Sequence, residues 1–315
     1  MTTLGTSNLD IFPLNLGGNT FGWTSDEATS HAVLDAFVEG GGNFVDSADV
    51  YSVWAEGNSG GESEAIISSW LAKGVRERLV VATKVSQHPD FPGLSAQNIS
   101  AAADASLERL GTDYIDLYYA HQYDENTPII ESAAAFDNLV RAGKIRHIGL
   151  SNFPAEKIDE WFAVAHAQGF AAPVALQPAY NLVAREEYET KLADVAARHD
   201  LAVLPYFSLA SGLLTGKYRS AADLEGKARG HMAGSFLNDR SLGIVEALVS
   251  LADGLKVEPA TVALAWLRGR DNILAPIASA RNIEQLPALM ASATLELNDE
   301  ELRVLNTASE PVSVS

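Results

Sequence analysis

Short β-branched or apolar runs alternate along the whole chain with longer stretches in which apolar positions recur every three to four residues. The short runs predict eight strands, near Pro13–Leu16, Asn43–Asp46, Leu79–Lys84, Ile115–His121, Ile145–Leu150, Val174–Gln177, Ala202–Tyr206 and Ile273–Ile277. The periodic stretches predict amphipathic helices over Glu27–Glu39, Glu62–Leu71, Ala96–Arg109, Ile129–Arg141, Glu156–Ala167, Glu187–Arg198 and Val262–Arg268. Gly40, Gly111, Gly143 and Gly169 follow helical stretches, where a left-handed terminator costs glycine least. Eight strand–helix units can close into a barrel, whereas an open doubly wound sheet usually stops sooner and carries a phosphate loop after its first strand. Neither G-x-G-x-x-G nor G-x-x-x-x-G-K-[ST] occurs. The expectation is an α/β fold, a (β/α)8 TIM barrel forming a single domain over 1–315, with an N-terminal β-hairpin and extra C-terminal helices.

Two irregularities bear on that architecture. The first twelve residues, with Gly5 and Asn8 as turn formers, predict a short hairpin plugging the bottom of the barrel. The connection from about Phe207 to Arg240 is rich in Gly, Ala and Ser and longer than an ordinary strand-to-helix loop. On a barrel's top face such a loop is usually functional.

Composition narrows the chemistry. Of 315 residues 47% are apolar and 20% charged, which suits a globular protein with a full core. No run approaches the roughly 18 apolar residues of a membrane span, and MTTLGTSNLD lacks the features of a signal peptide, so a cytoplasmic protein that does not engage the membrane is expected. The absence of cysteine removes thiol nucleophiles and thiolate metal sites. A formal charge of −19 opposes nucleic-acid binding, and a phosphorylated ligand needs local Lys or Arg in glycine-rich loops.

Asp46 and Tyr51 in NFVDSADVY, Lys84 in VVATKV and His121 in DLYYAHQ stand at or just beyond the carboxyl ends of predicted strands, so a barrel would bring them to one face. Singly each has a plain structural reading: a snorkelling lysine, a turn-capping aspartate, a packed tyrosine, a core histidine. Together they suggest catalysis. An ammonium beside a phenol stabilises its phenolate and is expected to pull its pKa down, Asp46 fixes the ammonium, and histidine can orient a carbonyl oxygen.

On these three motifs, in this order, the chain resembles the aldo-keto reductase family over essentially its whole length. The resemblance implies reduction of an aldehyde or ketone, possibly sugar-like, to an alcohol by hydride transfer from NADPH. It implies Tyr51 as proton donor, Lys84 and Asp46 as its tuning pair, and His121 as the group that orients the carbonyl. It further implies cofactor contacts along the chain. Gly18, Asn19 and Thr20 would lie under the cofactor, Ser151, Asn152 and Gln177 would bind the nicotinamide carboxamide, and Tyr206 would stack on its ring. Ser208, Leu209, Gly212 and Lys217 of SLASGLLTGKY would hold the pyrophosphate, and Ser279, Arg281 and Gln285 of PIASARNIEQL the adenosine 2′-phosphate. Ser279 and Leu289 depart from the family's frequent glycine and asparagine there. Trp23, Trp54 and Phe91 are expected to line a substrate pocket. No metal is required: a metal-dependent hydrolase using Asp46, Asp49 and His121 is disfavoured, since the seven histidines form no H-x-H or H-E-x-x-H. The other alternative is an NADPH-binding regulatory subunit similar to channel-associated β subunits, with little turnover.

Overall fold

The computed structural model describes residues 1–311. Eight parallel strands form one sheet: β1 (Asn15–Gly17), β2 (Phe44–Asp46), β3 (Val80–Val85), β4 (Ile115–Ala120), β5 (Ile145–Ser151), β6 (Pro173–Gln177), β7 (Ala202–Val203) and β8 (Ile277–Ala278), in the order β7-β6-β5-β4-β3-β2-β1-β8. The β7–β8 seam is closed by the Val203 N–H on Asn272 O (2.9 Å), the Leu274 N–H on Val203 O (3.0 Å) and the Ile277 N–H on Pro205 O (2.9 Å). This is the (β/α)8 barrel expected from the alternating pattern. Prolines explain why three strands are shorter than their apolar runs. Pro13, Pro205 and Pro276 have no N–H for the ladder, so regular pairing begins at Asn15, ends at Val203 and is confined to Ile277–Ala278.

Helices α1 (Glu27–Glu39), α2 (Glu62–Leu71), α3 (Ala96–Leu110), α4 (Ile129–Arg141), α5 (Ala155–Gln168) and α6 (Ala193–Arg198) follow successive strands. Asp26 and Ser95 cap α1 and α3 by accepting the N–H groups of Thr29 and Asn98. Gly111, Gly143 and Gly169 are left-handed as expected; after α1 that conformation falls on Gly41 rather than Gly40. The stretch predicted as one helix over Glu187–Arg198 instead opens with a π-helical turn at Tyr188–Leu192. Helix α7 (Asp239–Leu255), capped by Asn238, begins where the long loop ends and was not signalled as a separate periodic stretch. It packs against α8 (Pro259–Arg268) and against the C-terminal α10 (Asp299–Ser309), which follows α9 (Leu286–Ala291).

The opening hairpin pairs Thr2 with Ile11 and Thr3 with Asp10. Its Leu4, Leu9 and Ile11 are buried with Phe44, Ala82, Leu117, Ala175 and Leu204 inside the barrel, so it plugs the end where the strands begin. A second hairpin, Gln87–His88 with Phe91–Pro92, rises from the loop after β3 and escaped the sequence pattern because it is only two residues deep. With the bottom plugged by apolar side chains, the polar residues at the strands' carboxyl ends are the barrel's open chemistry.

Candidate active site

β2 ends on Asp46, and β3 pairs Asp46 with Ala82, so Lys84, two residues on, points the same way as its neighbour in register. Both are buried, 1% and 0% exposed, and buried charges must be paired. The Lys84 Nζ donates to Asp46 Oδ2 at 2.5 Å, to Ser47 O at 2.6 Å and to the Tyr51 hydroxyl at 3.0 Å. The Tyr51 hydroxyl lies 3.2 Å from Asp46 Oδ2, and the Gln177 amide donates to Asp46 Oδ1 at 2.9 Å. Tyr51 rides on a turn fixed by its N–H on Ala48 O and by Ser52, whose Oγ donates to Phe21 O at 2.7 Å from a left-handed backbone (φ 73°). His121 follows β4 with its ring 6.3 Å from that of Tyr51, and its buried Nδ1 has no hydrogen-bond partner. The four residues singled out from sequence thus converge.

Their electrostatics partly reverse the sequence-based expectation. Burial, then the Asp46 carboxylate beside it, holds the Tyr51 phenol well above its ordinary value rather than below it. The ammonium is in contact, but Asp46 Oδ2 is shared by both groups and opposes a negative phenolate. Burial likewise pushes Lys84 down against the pull of Asp46, and burial with the Lys84 charge holds His121 well below its usual range. The resting site therefore holds a protonated phenol and a neutral imidazole at pH 7.

Tyr51 and His121 open into a cavity of about 1800 Å³ running from the barrel mouth under the loops after β7 and β8. Ser151, Asn152, Gln177 and Tyr206 line its inner part. Ser151 Oγ donates to Gln177 O, and Asn152 donates to His121 O while accepting from the Tyr206 hydroxyl at 2.8 Å. Ser208, Leu209, Gly212 and Lys217 line one outer wall, and Asn19, Ser279, Arg281 and Gln285 the other. Gly212 is left-handed (φ 100°), and a side chain there would press on Lys217 Nζ. Trp23 and Trp54 stand at the rim with rings 5.6 Å apart, edge to face.

Three expected residues do not reach the cavity. Gly18 sits beneath it with its N–H on Asp46 O (2.7 Å), and a Cβ would strike Ser63 Oγ, so glycine allows close packing of the floor. Thr20 is fully buried, and its carbonyl receives three turn N–H groups. Phe91, expected in the substrate pocket, packs on His88 at 5.4 Å because the second hairpin turns it away.

Sequence reasoning missed Lys227, Arg229 and Phe207, which also line the cavity. Arg229 lies over Trp23, reaches Asn19 at 3.4 Å and leaves a buried Nε without a partner. Burial and the nearby Arg281 lower its pKa to about 10. The available signal was two basic residues, GKARG, inside the long loop of an acidic chain. Lys217, Lys227, Arg229 and Arg281 lie close enough to feel one another's charge and fit that part of the wall for phosphate, beside Asp223, Glu225, Glu258 and Glu284, which also line the cavity. Among the described residues, no group of three or more His, Cys, Asp or Glu is arranged to hold a metal, and no helix is long and apolar enough to cross a membrane.

Known proteins are similar to this chain along most of its length. The chain is 34% identical to an uncharacterized oxidoreductase, YrpG, of Bacillus subtilis (strain 168), covering 97% of this chain and 94% of that protein. It is 30% identical to the norsolorinic acid reductase stcV of Emericella nidulans, over 94% and 78% of the two chains. It is 31% identical to a probable voltage-gated potassium channel subunit beta of Arabidopsis thaliana, over 90% and 88%. The model of the aldo/keto reductase family matches residues 13–310, and with the barrel and its polar mouth this establishes that the chain belongs to that family of oxidoreductases.

Proposed function

We propose that the protein uses NADPH to reduce the carbonyl group of an uncharged, apolar aldehyde or ketone. The observation that carries the reading is the contact chain Asp46–Lys84–Tyr51 opening, beside His121, into a cavity that also gathers a cluster of cations around Arg229. When bound, the cofactor supplies the hydride that adds to the carbonyl carbon. Tyr51 gives its proton to the carbonyl oxygen, and the Lys84 ammonium 3.0 Å away stabilises the phenolate left behind until water restores the proton. Asp46 holds that ammonium in place. The neutral His121 donates a hydrogen bond that orients the same oxygen.

The cofactor's fit rests on the chain's own groups. Ser151, Asn152 and Gln177 offer hydroxyl and amide groups to a carboxamide, and Tyr206 offers a ring face. Ser208, Leu209, Gly212 and Lys217 would hold the pyrophosphate. Ser279, Arg281 and Gln285, joined by Arg229 with its unpaired Nε, would hold the 2′-phosphate that distinguishes NADPH. Asn19 would touch the cofactor, with Gly18 and Thr20 shaping the floor under it.

Trp54 and Phe207 are 48% and 36% exposed, two of the few large apolar side chains left uncovered among the described residues, and both line the cavity. With Trp23 they favour a substrate that lays a flat apolar face on them, since covering the rings removes apolar surface from water. A cytoplasmic location, and action of the whole chain 1–315 as one domain, go with this reading.

Steady-state NADPH oxidation over a panel of aromatic and aliphatic aldehydes, ketones and sugars tests it, with aromatic carbonyls expected to give the highest kcat/KM. The relative named a channel subunit beta supports a second reading, a regulatory subunit that binds NADPH. Tight NADPH binding with no turnover across the panel would establish that reading instead.

A further inference from the structure

Asp49 lies between Asp46 and Tyr51 on the catalytic loop but faces away from the cavity. Its N–H reaches Lys84 O at 3.3 Å, which extends the pairing of β2 with β3, and its side chain lies close enough to Glu64 of α2 and Arg109 of α3 to feel both charges. There it is 0% exposed, and neither carboxyl oxygen has a hydrogen-bond partner; the Val50 amide lies near without bonding geometry.

Every charged or titratable neighbour is otherwise engaged or neutral. Glu64 of α2, also 0% exposed, is bonded to Arg109 Nε of α3 and to Thr83 Oγ1, each at 2.6 Å. Arg109 is thereby matched. Tyr118 of β4 keeps a buried hydroxyl with no partner, and Lys84 of β3 is committed to Asp46 on the opposite side. His88, packed against Gly60, is kept neutral by burial and by Arg109. The cluster thus holds two carboxyl groups and one guanidinium, directly behind one carboxylate and one ammonium.

From this arrangement we infer that Asp49 is a positioning residue for the reaction: kept uncharged behind Lys84, it leaves the ammonium's field undivided for Tyr51. An ionised Asp49 would have to share Arg109 with Glu64, with no counter-charge of its own, and would act on Lys84 through the sheet. The field that stabilises the Tyr51 phenolate would weaken, and proton transfer with it. Burial, then Glu64, raises the Asp49 carboxyl to about 8, so the change falls at mildly alkaline pH. The inference rests on Tyr51 as proton donor.

The experiment follows kcat against pH for the full chain and for Asp49→Asn, together with the ¹³C chemical shift of the Asp49 carboxyl in wild type. We expect wild-type kcat to fall about tenfold through a midpoint near 8, a loss of the size one unmatched buried charge produces. In Asp49→Asn the profile should stay level over the same range, and the wild-type carboxyl should titrate near the same midpoint. An unchanged fall in Asp49→Asn, a level wild-type profile, or titration in the ordinary carboxylate range would each overturn the inference. A chain that turns over no carbonyl at any pH overturns the reductase reading and the catalytic half of this one. The carboxyl titration still decides, apart from activity, whether Asp49 is uncharged at neutral pH.

Discussion

At the scale of single residues, the site is a competition for one carboxylate oxygen. Asp46 Oδ2 is 2.5 Å from the Lys84 ammonium and 3.2 Å from the Tyr51 hydroxyl, and it favours the charge of the first while opposing ionisation of the second. Which residues meet was legible, because each ends or follows a strand in a barrel whose strand ends share one face. The sign of the phenol's shift was not, because it depends first on how deeply the hydroxyl is buried and then on how near Asp46 comes, and neither depth nor distance is visible in sequence. The cationic wall gives a prediction at this scale. Arg281→Ala should raise KM for NADPH about tenfold or more and leave NADH within about twofold, because a guanidinium–phosphate contact contributes roughly 1.5–3 kcal/mol. Equal effects on both cofactors would remove the 2′-phosphate assignment. At the rim, Trp54→Ala should lower kcat/KM for aromatic aldehydes by about tenfold relative to short aliphatic ones, the loss expected from one buried ring contact. A uniform change would separate the rim from substrate choice.

At the scale of elements, the alternation of short apolar runs with amphipathic stretches carried most of the barrel. What it lost has identifiable causes. Pro205 and Pro276 cut β7 and β8 to two regular residues each, and the Gln87–Pro92 hairpin is too short to show periodicity. That hairpin is why Phe91 leaves the pocket and packs on His88. Arg229 stayed hidden because it lies on an irregular loop, where no period tells inside from outside. The loop bearing Tyr51 is braced from behind by α2 and α3 through the Glu64–Arg109 pair, Glu64 being 0% exposed. Arg109→Ala would strand that carboxylate beside Asp49, so unfolding in urea should show a loss of about 3–5 kcal/mol. A loss below about 1 kcal/mol, the value of an exposed pair, would mean that the brace is dispensable.

At the scale of the whole molecule, a chain of formal charge −19 still gathers Lys217, Lys227, Arg229 and Arg281 around one cavity, so net acidity does not exclude a local contact with an anion. Global stability should carry the signature of Asp49. Its carboxyl is held up at about 8 in the fold, against about 4 in an unfolded chain. Between those values the folded protein keeps a proton that the unfolded chain has lost. The contribution of Asp49 to stability therefore declines as pH rises from about 4 to about 8 and levels off above, while His88 and His121, held below their ordinary value in the fold, add the opposite slope below about 6.5. Asp49→Asn should flatten that decline in urea midpoints, and parallel slopes would contradict it. Delivery of the proton by Tyr51 is read from NADPH oxidation with 4-nitrobenzaldehyde by wild type and Tyr51→Phe, alongside NADPH binding by each. Binding should stay within about threefold and kcat should fall by about 10²–10⁴-fold in the variant, the contribution of a positioned acid. Tyr51→Phe turning over at the wild-type rate would contradict that role.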